Sequence, residues 1–435
     1  MIKKSNFVLV NFSYLLFVMF SSLIFYGVKF SFFPLDLFRL SYVISFIILL
    51  FFLNKIKYSS EWLLLCFFTL LSLFISVFVS LYTKSSELVF IRMIFDYLLT
   101  FLVLTPVYYF FLKKMNIDIV SFVIHMVFFQ SLIMFLMVAF PSFQKIVLGI
   151  IDISGIERTD GVFRFRGVGL TGLATYSMAV TQALALFLFQ FIWKNKLSNS
   201  SLAFSFIMFF SILLSSILSA RTSFLFILIL FLSFVCIYST SSNRLLKGRL
   251  LNVLIFIFIA FSILIVLLSS IDSPVIVKML SWSSELFVSF FETGSVSTES
   301  SEAMKDLFFM PDEFTFLIGD GQYLSSLGEY YMSTDIGYLR VLLYGGLAGS
   351  LSFYFSFFIL IYILLSSICK VYNFSFALPL FFYFICVLIV NIKGSIFFDG
   401  FIAFKFISLL SFYFSREKIN YFYNKSLGDA CEKSC

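Results

Sequence analysis

Residues 62–82 read WLLLCFFTLLSLFISVFVSLY, an uncharged run that is long enough to cross a bilayer as a helix. Similar runs recur along the whole chain of 435 residues, of which 61% are hydrophobic and only 12% are charged. An ordinary soluble domain has about 45–50% apolar and about 25% charged residues. The composition therefore excludes a water-soluble multidomain enzyme, a disordered chain and a disulfide scaffold, and it predicts an all-α polytopic membrane protein.

The apolar runs predict about twelve transmembrane helices in a single integral membrane domain that covers residues 1–435. Their approximate bounds are 7–28, 36–54, 62–82, 88–112, 117–140, 168–193, 202–219, 222–239, 250–271, 336–364, 374–392 and 396–414. Lysine and arginine are more frequent in the connections on the same side as the N-terminus, which predicts that this side is cytoplasmic. Because the number of spans is even, the tail at 415–435 is expected to be cytoplasmic too.

Two longer segments fall on the external side in this arrangement: residues 141–167, and residues 272–335 between helices 9 and 10. The first is rich in arginine, with Arg158, Arg164 and Arg166 close together before a span. Arginine forks match phosphate oxygens and keep their charge beside lipid, so these residues are candidates for binding an anionic head group such as a pyrophosphate. A solvated loop that is attracted to lipid phosphates is the alternative interpretation.

Other candidate residues lie where external segments meet spans. Arg221 lies in the short connection 219–222, where it could snorkel to the membrane interface or complete the site of the first loop. The long loop contains Gly319-Asp-Gly321, which predicts a tight turn because glycine tolerates left-handed backbone angles. Asp335 follows near a helix start, where a carboxylate can cap the helix, and Arg340 lies further into that span.

The order and sidedness of these stretches resemble the O-antigen polymerase and ligase superfamily, which has a large periplasmic loop between its opening and closing motifs. The stretches are Ser219-Ala-Arg221-Thr-Ser, Leu317-Ile-Gly-Asp-Gly321, Asp335-Ile-Gly-Tyr-Leu339 and Gly345-Gly-Leu-Ala-Gly349. The glycines of the last stretch also permit close helix packing. Ligases typically carry a histidine where this chain has Asp335, and the single histidine here, His125, lies inside an apolar run. The resemblance is therefore closer to the polymerases.

The resemblance implies a glycosyltransferase of the bacterial inner membrane, a multi-pass O-antigen polymerase that acts at the periplasmic face. It would join oligosaccharide repeat units that are carried on undecaprenyl diphosphate, with one lipid-linked glycan as donor and another as acceptor. No cofactor and no metal are expected, because fixed arginines can offset the charge of a diphosphate leaving group. Membrane lipids are implied partners, a chain-length regulator is a candidate partner, and nucleic acid is not expected.

The same resemblance suggests a role for each candidate residue. The candidate catalytic residues are Asp335, as base or acceptor-orienting group, with Glu329 and Asp320 in reserve, and Arg221, which would help to bind the diphosphate. A carboxylate can take a proton from an acceptor hydroxyl, and aromatic rings can stack on sugar faces. The candidate substrate-binding residues are Arg158, Arg164, Arg166, Arg340, Asp320, Tyr323, Tyr330, Tyr331 and Tyr338.

Two other functions stay open at this stage. A lipid-linked oligosaccharide flippase, or another transporter, would have a similar number of spans, but its charges should line a cavity through the full membrane depth. Most external arginines of this chain fall at one face instead, and no inverted repeat is evident in the sequence. An O-antigen ligase is disfavoured by the missing external histidine. The polymerase is the favoured prediction.

Overall fold

The structure is a computed structural model that describes residues 12–32, 36–52, 56, 58–151, 169–171, 176–194, 197–269, 307–325, 328–399 and 401–432. All regular structure in these ranges is helical, and the β-type pairings there are two isolated bridges. The all-α fold predicted from the composition is therefore confirmed for the part of the chain that the structure describes.

The α-helices are numbered here in chain order. They are α1 Phe12–Phe25, α2 Leu37–Phe52, α3 Ser60–Tyr82, α4 Val89–Leu99, α5 Thr105–Lys114, α6 Ile119–Ala139, α7 Pro141–Ile150, α8 Tyr176–Trp193, α9 Asn199–Ser219, α10 Ser223–Thr240, α11 Arg244–Ser269, α12 Glu313–Leu317, α13 Gly337–Val371, α14 Phe374–Lys393, α15 Ile396–Asp399 and α16 Phe401–Glu432. A π-helical turn at Thr100–Leu104 joins α4 to α5, and 3-10 turns lie at Gly169–Thr171 and Tyr331–Ser333.

A helix lies at each of the twelve predicted runs, and eight helical segments of the described ranges have the length and composition needed to cross a membrane. These eight are Ser60–Tyr82, Val89–Lys114, Ile119–Ala139, Tyr176–Trp193, Asn199–Ser219, Ser223–Thr240, Gly337–Val371 and Phe374–Lys393. The chain is thus an all-α, multi-pass membrane protein by the length and apolarity of its helices. The count of twelve spans and the orientation of the termini stay predictions.

The predicted loops contain some helix. The arginine-rich segment 141–167 starts as α7, where Pro141 occupies the first turn and its missing N–H costs nothing. The long segment 272–335 contains the short helix α12, and α16 continues through the predicted span into the predicted tail. Arg158, Arg164 and Arg166 lie outside the described residues.

Two compact units divide the chain. Unit 1 comprises Met1–Asp36 and Ile124–Phe309, and unit 2 comprises Leu37–Val123 and Met310–Cys435. Each unit combines segments that are far apart in the sequence. The single integral membrane domain stays a prediction.

Unit 1 is built around α8, in which every residue from Ser177 to Trp193 is buried. Helices α9, α10 and α11 pack against it. Its described buried polar side chains are neutral, and some of them are hydrogen-bonded to other side chains: the Ser219 hydroxyl donates to Gln182 Oε1 at 3.0 Å, and Gln182 Nε2 donates to the Met134 sulfur at 3.1 Å. Such bonds stabilise a polar side chain where no water is present to satisfy it.

Unit 2 is built around α13, which packs against α3, α14 and α16. The π-helical turn next to this core has an identifiable cause, because Pro106 has no N–H to donate to the preceding turn. Two side chains replace the missing donor: Trp62 Nε1 donates to the Phe101 carbonyl at 3.1 Å, and the Tyr58 hydroxyl donates to the Leu102 carbonyl at 2.9 Å. These bonds hold the start of α3 against the middle of the Val89–Lys114 span.

Candidate functional site

A break in α13 determines how the loop before this helix is held in unit 2. The break lies at Gly346, whose φ of 59° and ψ of −164° are outside the helical region. The Asp320 N–H donates to the Leu343 carbonyl at 2.7 Å, and the Gly321 N–H donates to the Tyr344 carbonyl at 3.1 Å. The loop thereby satisfies carbonyls that the interrupted helix leaves without their usual donors.

The predicted Gly-Asp-Gly turn is confirmed, and it requires its glycines. Gly319 has φ +89° and Gly321 has φ +65°, angles that residues with a side chain rarely adopt. A Cβ at Gly319 would lie 2.3 Å from the Tyr344 carbonyl oxygen, which is part of the backbone and cannot rotate away. The turn therefore sits directly against α13 at the break.

A short hairpin follows the turn and brings two tyrosines opposite each other. Leu324 and Tyr330 form an isolated antiparallel bridge, and the Ser325 N–H donates to the Glu329 carbonyl at 2.7 Å. The Tyr331 N–H donates to the Tyr323 carbonyl at 3.3 Å. This pairing places Tyr323 on one arm of the hairpin and Tyr330 on the other.

Arg340 lies between these two tyrosine rings. Its guanidinium carbon is 3.9 Å from the centroid of the Tyr323 ring and 3.7 Å from that of the Tyr330 ring. Arg340 is only 2% exposed, whereas Tyr330 keeps 39% of its surface exposed. Stacking uses the faces of the planar guanidinium, and its N–H donors point along the edges. The site therefore fixes a permanent positive charge beside an accessible aromatic ring.

Glu87, just before α4, completes this arrangement and is not among the residues predicted from the sequence. Its Oε2 accepts hydrogen bonds from the backbone N–H groups of Tyr323 and Leu324, the latter at 2.9 Å. Its Oε1 is buried and accepts no hydrogen bond from a described residue. The only sequence signal is an acidic residue in the short connection before a span. Glu87 fastens the first arm of the hairpin and adds a negative charge beneath the site.

Asp320 acts mainly as a positioning residue in this geometry. Its Oδ1 accepts from the Thr315 hydroxyl at 2.8 Å, and its Oδ2 accepts from the Tyr331 hydroxyl at 3.1 Å. Burial and the adjacent Asp320 carboxylate raise the pKa of Tyr331 to about 12, so Tyr331 stays a neutral donor. Both oxygens of Asp320 are thus used to hold α12 and the second hairpin arm.

Asp335 lies in an unusual stretch of backbone. The two residues Met332 and Ser333 have φ of 52° and 54°, the left-handed region that side chains disfavour. The N-cap position of α13 belongs to Ile336, whose N–H donates to the Thr334 hydroxyl at 3.3 Å. Asp335 is exposed and accepts no hydrogen bond from a described residue, so helix capping does not explain it.

The electrostatic setting of Asp335 suits a proton acceptor. Partial burial by the surrounding protein raises the pKa of Asp335 above its ordinary value, and the positive charge of Arg340 lowers it in part. A carboxylate with a raised pKa holds a proton more firmly than an ordinary one. Asp335 and Arg340 are therefore electrostatically linked, as residues of one site would be.

Tyr323, Tyr330 and Arg340 form a tyrosine–arginine cluster, which two other predicted residues of unit 2 do not join. The Tyr338 hydroxyl donates to the Leu388 carbonyl at 2.8 Å, and its ring lies 5.4 Å from the ring of Tyr354. Residues two apart on a helix point in different directions, which separates Tyr338 from Arg340. Glu329 lies at the turn of the hairpin with its side chain exposed.

Arg221 belongs to unit 1, in the turn between α9 and α10. Its carbonyl accepts from the Phe224 N–H at 3.1 Å, and α9 ends just before it at Ser219, which donates to Gln182. In the same unit the Leu170 N–H donates to Gln130 Oε1 at 3.0 Å, which fixes the backbone just before α8. Arg221 thus lies in the turn that follows Ser219, which belongs to the neutral polar core of unit 1.

The described residues contain no group of three or more His, Cys, Asp or Glu side chains that could hold a metal ion. No protein-family model matches the chain, and no curated protein and no solved structure matches it either. The functional interpretation therefore depends on the chemistry of the residues themselves.

Proposed function

We propose that this chain is an O-antigen, or related surface-polysaccharide, polymerase of the bacterial inner membrane. It joins undecaprenyl-diphosphate-linked repeat units by glycosyl transfer at the periplasmic face, and it crosses the membrane about twelve times with both termini in the cytoplasm. The observation that carries the proposal is the guanidinium of Arg340, held between Tyr323 and Tyr330 and coupled to the exposed carboxylate of Asp335.

The proposed reaction needs one base and one cationic group. An acceptor hydroxyl attacks the anomeric carbon of the donor, the new glycosidic C–O bond forms, and the bond from that carbon to the diphosphate oxygen breaks. The hydroxyl proton passes to Asp335, and the lipid diphosphate leaves with the bonding electron pair. Negative charge therefore develops on the diphosphate as the bond breaks.

Arg340 is suited to offset that charge. A guanidinium stays protonated in any protein environment, and electrostatic stabilisation is strongest when the group is preorganised and shielded from water. The two rings and the burial of Arg340 supply this preorganisation. Further diphosphate binding is assigned in the proposal to Arg221 and to Arg158, Arg164 and Arg166.

Asp335 and Tyr330 complete the proposed site. The raised pKa of Asp335 and its lack of a capping bond favour a role as base or as acceptor-orienting group. The exposed part of the Tyr330 ring provides an apolar face on which a sugar ring can stack. Glu329, at the nearby hairpin turn, is the reserve carboxylate.

The test is complementation of a strain that lacks this gene, with lipopolysaccharide separated on a gel that resolves single repeats. We expect core plus one repeat unit in the null strain and a full ladder with the wild-type chain. Asp335→Asn should reduce polymer by about 10²–10⁴-fold, the usual contribution of a general base. Glu313→Gln, an exposed carboxylate in the same loop, is the matched control and should restore the ladder.

Other outcomes of this experiment assign the alternatives. Core without repeats, together with polymer on the lipid carrier, would indicate a ligase. Core without repeats, together with repeat units trapped in the cytoplasm, would indicate a flippase. A normal ladder and a normal capsule in the null strain would overturn the proposed function. Full activity of Asp335→Asn at wild-type protein levels would overturn only the assignment of Asp335 as the base.

A further inference from the structure

A second polar site lies in unit 2, at the opposite end of the Val89–Lys114 span from the tyrosine–arginine cluster. The cluster contacts the beginning of this span, because Glu87 binds the hairpin amides. Lys113 and Lys114 form the last turn of the span. A helix of 26 residues is about 39 Å long, so the two sites lie at opposite ends of a membrane-length segment.

This second site is a cavity of about 280 Å³ lined by two kinds of side chain. Three of the lining side chains are cationic: Lys113, Lys114 and Arg416. The others are aliphatic or aromatic: Ile56, Tyr109, Phe110 and Phe412. This volume is just below the usual range of about 300–1,000 Å³ for small-molecule pockets.

No carboxylate of the described residues lies within ion-pair distance of the three cationic side chains of the cavity. Among the described residues, Lys113, Lys114 and Arg416 form no ion pair. Glu61, at the start of α3, pairs with Lys418 instead, with 3.1 Å between Oε1 and Nζ. The Asp118 carboxylate accepts from the N–H and the hydroxyl of Ser121, each at 2.8 Å. The cavity is therefore lined by three cationic side chains together with apolar and aromatic ones.

We infer that this cavity binds the head group of an anionic phospholipid. The phosphate would lie against Lys113, Lys114 and Arg416, and the start of an acyl chain would lie along Ile56, Phe110 and Phe412. Basic pockets between transmembrane helices at a membrane boundary are suited to such head groups. A purely soluble anion would gain nothing from the apolar wall, which is why a lipid is the favoured source of the phosphate. The inference does not depend on the proposed glycosyl transfer.

Native mass spectrometry of the full chain in detergent, with phosphatidylglycerol or phosphatidylcholine added, tests this inference. We expect one phosphatidylglycerol to be retained per chain and phosphatidylcholine to be lost. The double variant Lys113→Gln/Arg416→Gln should weaken retention by about 30-fold, because each basic contact contributes a factor of about five. The control Arg244→Gln/Lys247→Gln removes the same charge from the start of α11 and should retain the lipid like the wild type.

Three outcomes would overturn the inference. Equal retention of the two lipids would mean that charge does not select the ligand. Unchanged retention by a folded Lys113→Gln/Arg416→Gln variant would mean that the lipid binds elsewhere. Displacement of phosphatidylglycerol by an equal concentration of glycerol phosphate would mean that the cavity is a site for a soluble phosphate rather than a lipid.

Discussion

Unit 1 and unit 2 both bury polar side chains among apolar helices, but the chemistry differs. The buried groups of unit 1 are neutral amides and hydroxyls on regular helices, as in the bond between Ser219 and Gln182. Unit 2 buries a charged arginine, Arg340, in a helix that is broken six residues later at Gly346. A neutral group can be satisfied by whichever helix lies next to it, whereas a buried charge needs dedicated partners.

The difference indicates what each region is for. The partners of Arg340 are supplied by a loop that needs left-handed glycines and a half-buried carboxylate, Glu87, to hold it. Such an arrangement costs stability at each strained position, and strained backbone with buried charge is concentrated at functional sites. Unit 1 also has left-handed glycines among its described residues, Gly27 and Gly169, but Gly169 packs against the neutral side chain of Gln130 and not against a buried charge. We therefore expect function to depend on the unit 2 cluster, and we expect changes in the unit 1 core to alter stability slightly without altering activity.

Replacement of Arg340 should give the largest effect. Arg340→Gln removes the charge and Arg340→Lys keeps it but loses the planar stacking between Tyr323 and Tyr330. We expect polymer formation to fall by about 10²–10³-fold in both, as when one preorganised charge-stabilising donor is removed. The measurement is chain elongation by purified protein on a lipid-linked repeat unit.

Tyr338→Phe is the control for these variants, because its hydroxyl bonds to α14 and its ring lies apart from the cluster. It should keep most of the elongation activity. If Tyr338→Phe is as damaging as Arg340→Gln while the protein stays folded, the whole start of α13 matters and the cluster has no special role.

Gly319→Ala should have the next largest effect, which is a loss of folding stability. Alanine would have to adopt the left-handed φ of +89°, which residues with a side chain rarely adopt. Its Cβ would also lie 2.3 Å from the Tyr344 carbonyl oxygen. We expect a loss of about 3 kcal/mol or more in the free energy of unfolding, measured by thermal denaturation in detergent. Gly248→Ala in α11 of unit 1 is the matched control, since no atom lies within 4 Å of its Cβ position. It should be neutral or stabilising, because alanine favours helix.

The sequence predicts the helices well because apolar periodicity and length are local properties. It also predicts the turn at Gly319 and Gly321, because the requirement for left-handed angles is carried by the residues themselves. The sequence analysis predicts Tyr323 and Tyr330 as substrate-binding residues, but nothing in the sequence shows that their rings stack on Arg340. That contact depends on a hairpin of irregular loop, whose pairing is set by tertiary structure.

Glu87 and Gly346 show the limit of the prediction more clearly. Glu87 is more than 200 residues away in sequence from the amides that it binds, and no local pattern marks that contact. Gly346 belongs to a glycine stretch that suggests helix packing, and a Cβ added at Gly349 would lie 3.5 Å from Ile75 Cγ2 of α3. Gly346 instead breaks the helix, because the turn at Gly319 supplies the hydrogen bonds that an unbroken helix would make itself.

The pH dependence of activity offers a subtler test of the coupling between Asp335 and Arg340. A base must be deprotonated, so elongation should decline as the pH falls through the raised pKa of Asp335. Loss of the positive charge in Arg340→Gln raises this pKa further, so the acidic limb of the rate profile should move to higher pH. Arg340→Lys keeps the charge, and its acidic limb should stay near that of the wild type. Identical limbs in all three proteins would contradict the assignment of Asp335 as the base.

The smallest expected effect comes from the neutral core of unit 1, and it tests the other half of the comparison. Gln182→Leu keeps the side-chain volume but removes the acceptor for Ser219, whose hydroxyl can still donate to the Ser215 carbonyl at 2.8 Å. Because Ser219 has this second acceptor, a double-mutant cycle of Gln182→Leu with Ser219→Ala should give a coupling of only about 0.6 kcal/mol, and at most about 1.7 kcal/mol. Elongation activity should be unchanged, since the group carries no charge and lies on regular helices. A Gln182→Leu protein that is as stable as the wild type yet inactive would show that unit 1 contributes to the chemistry, and the division between a functional and a structural polar region would no longer hold.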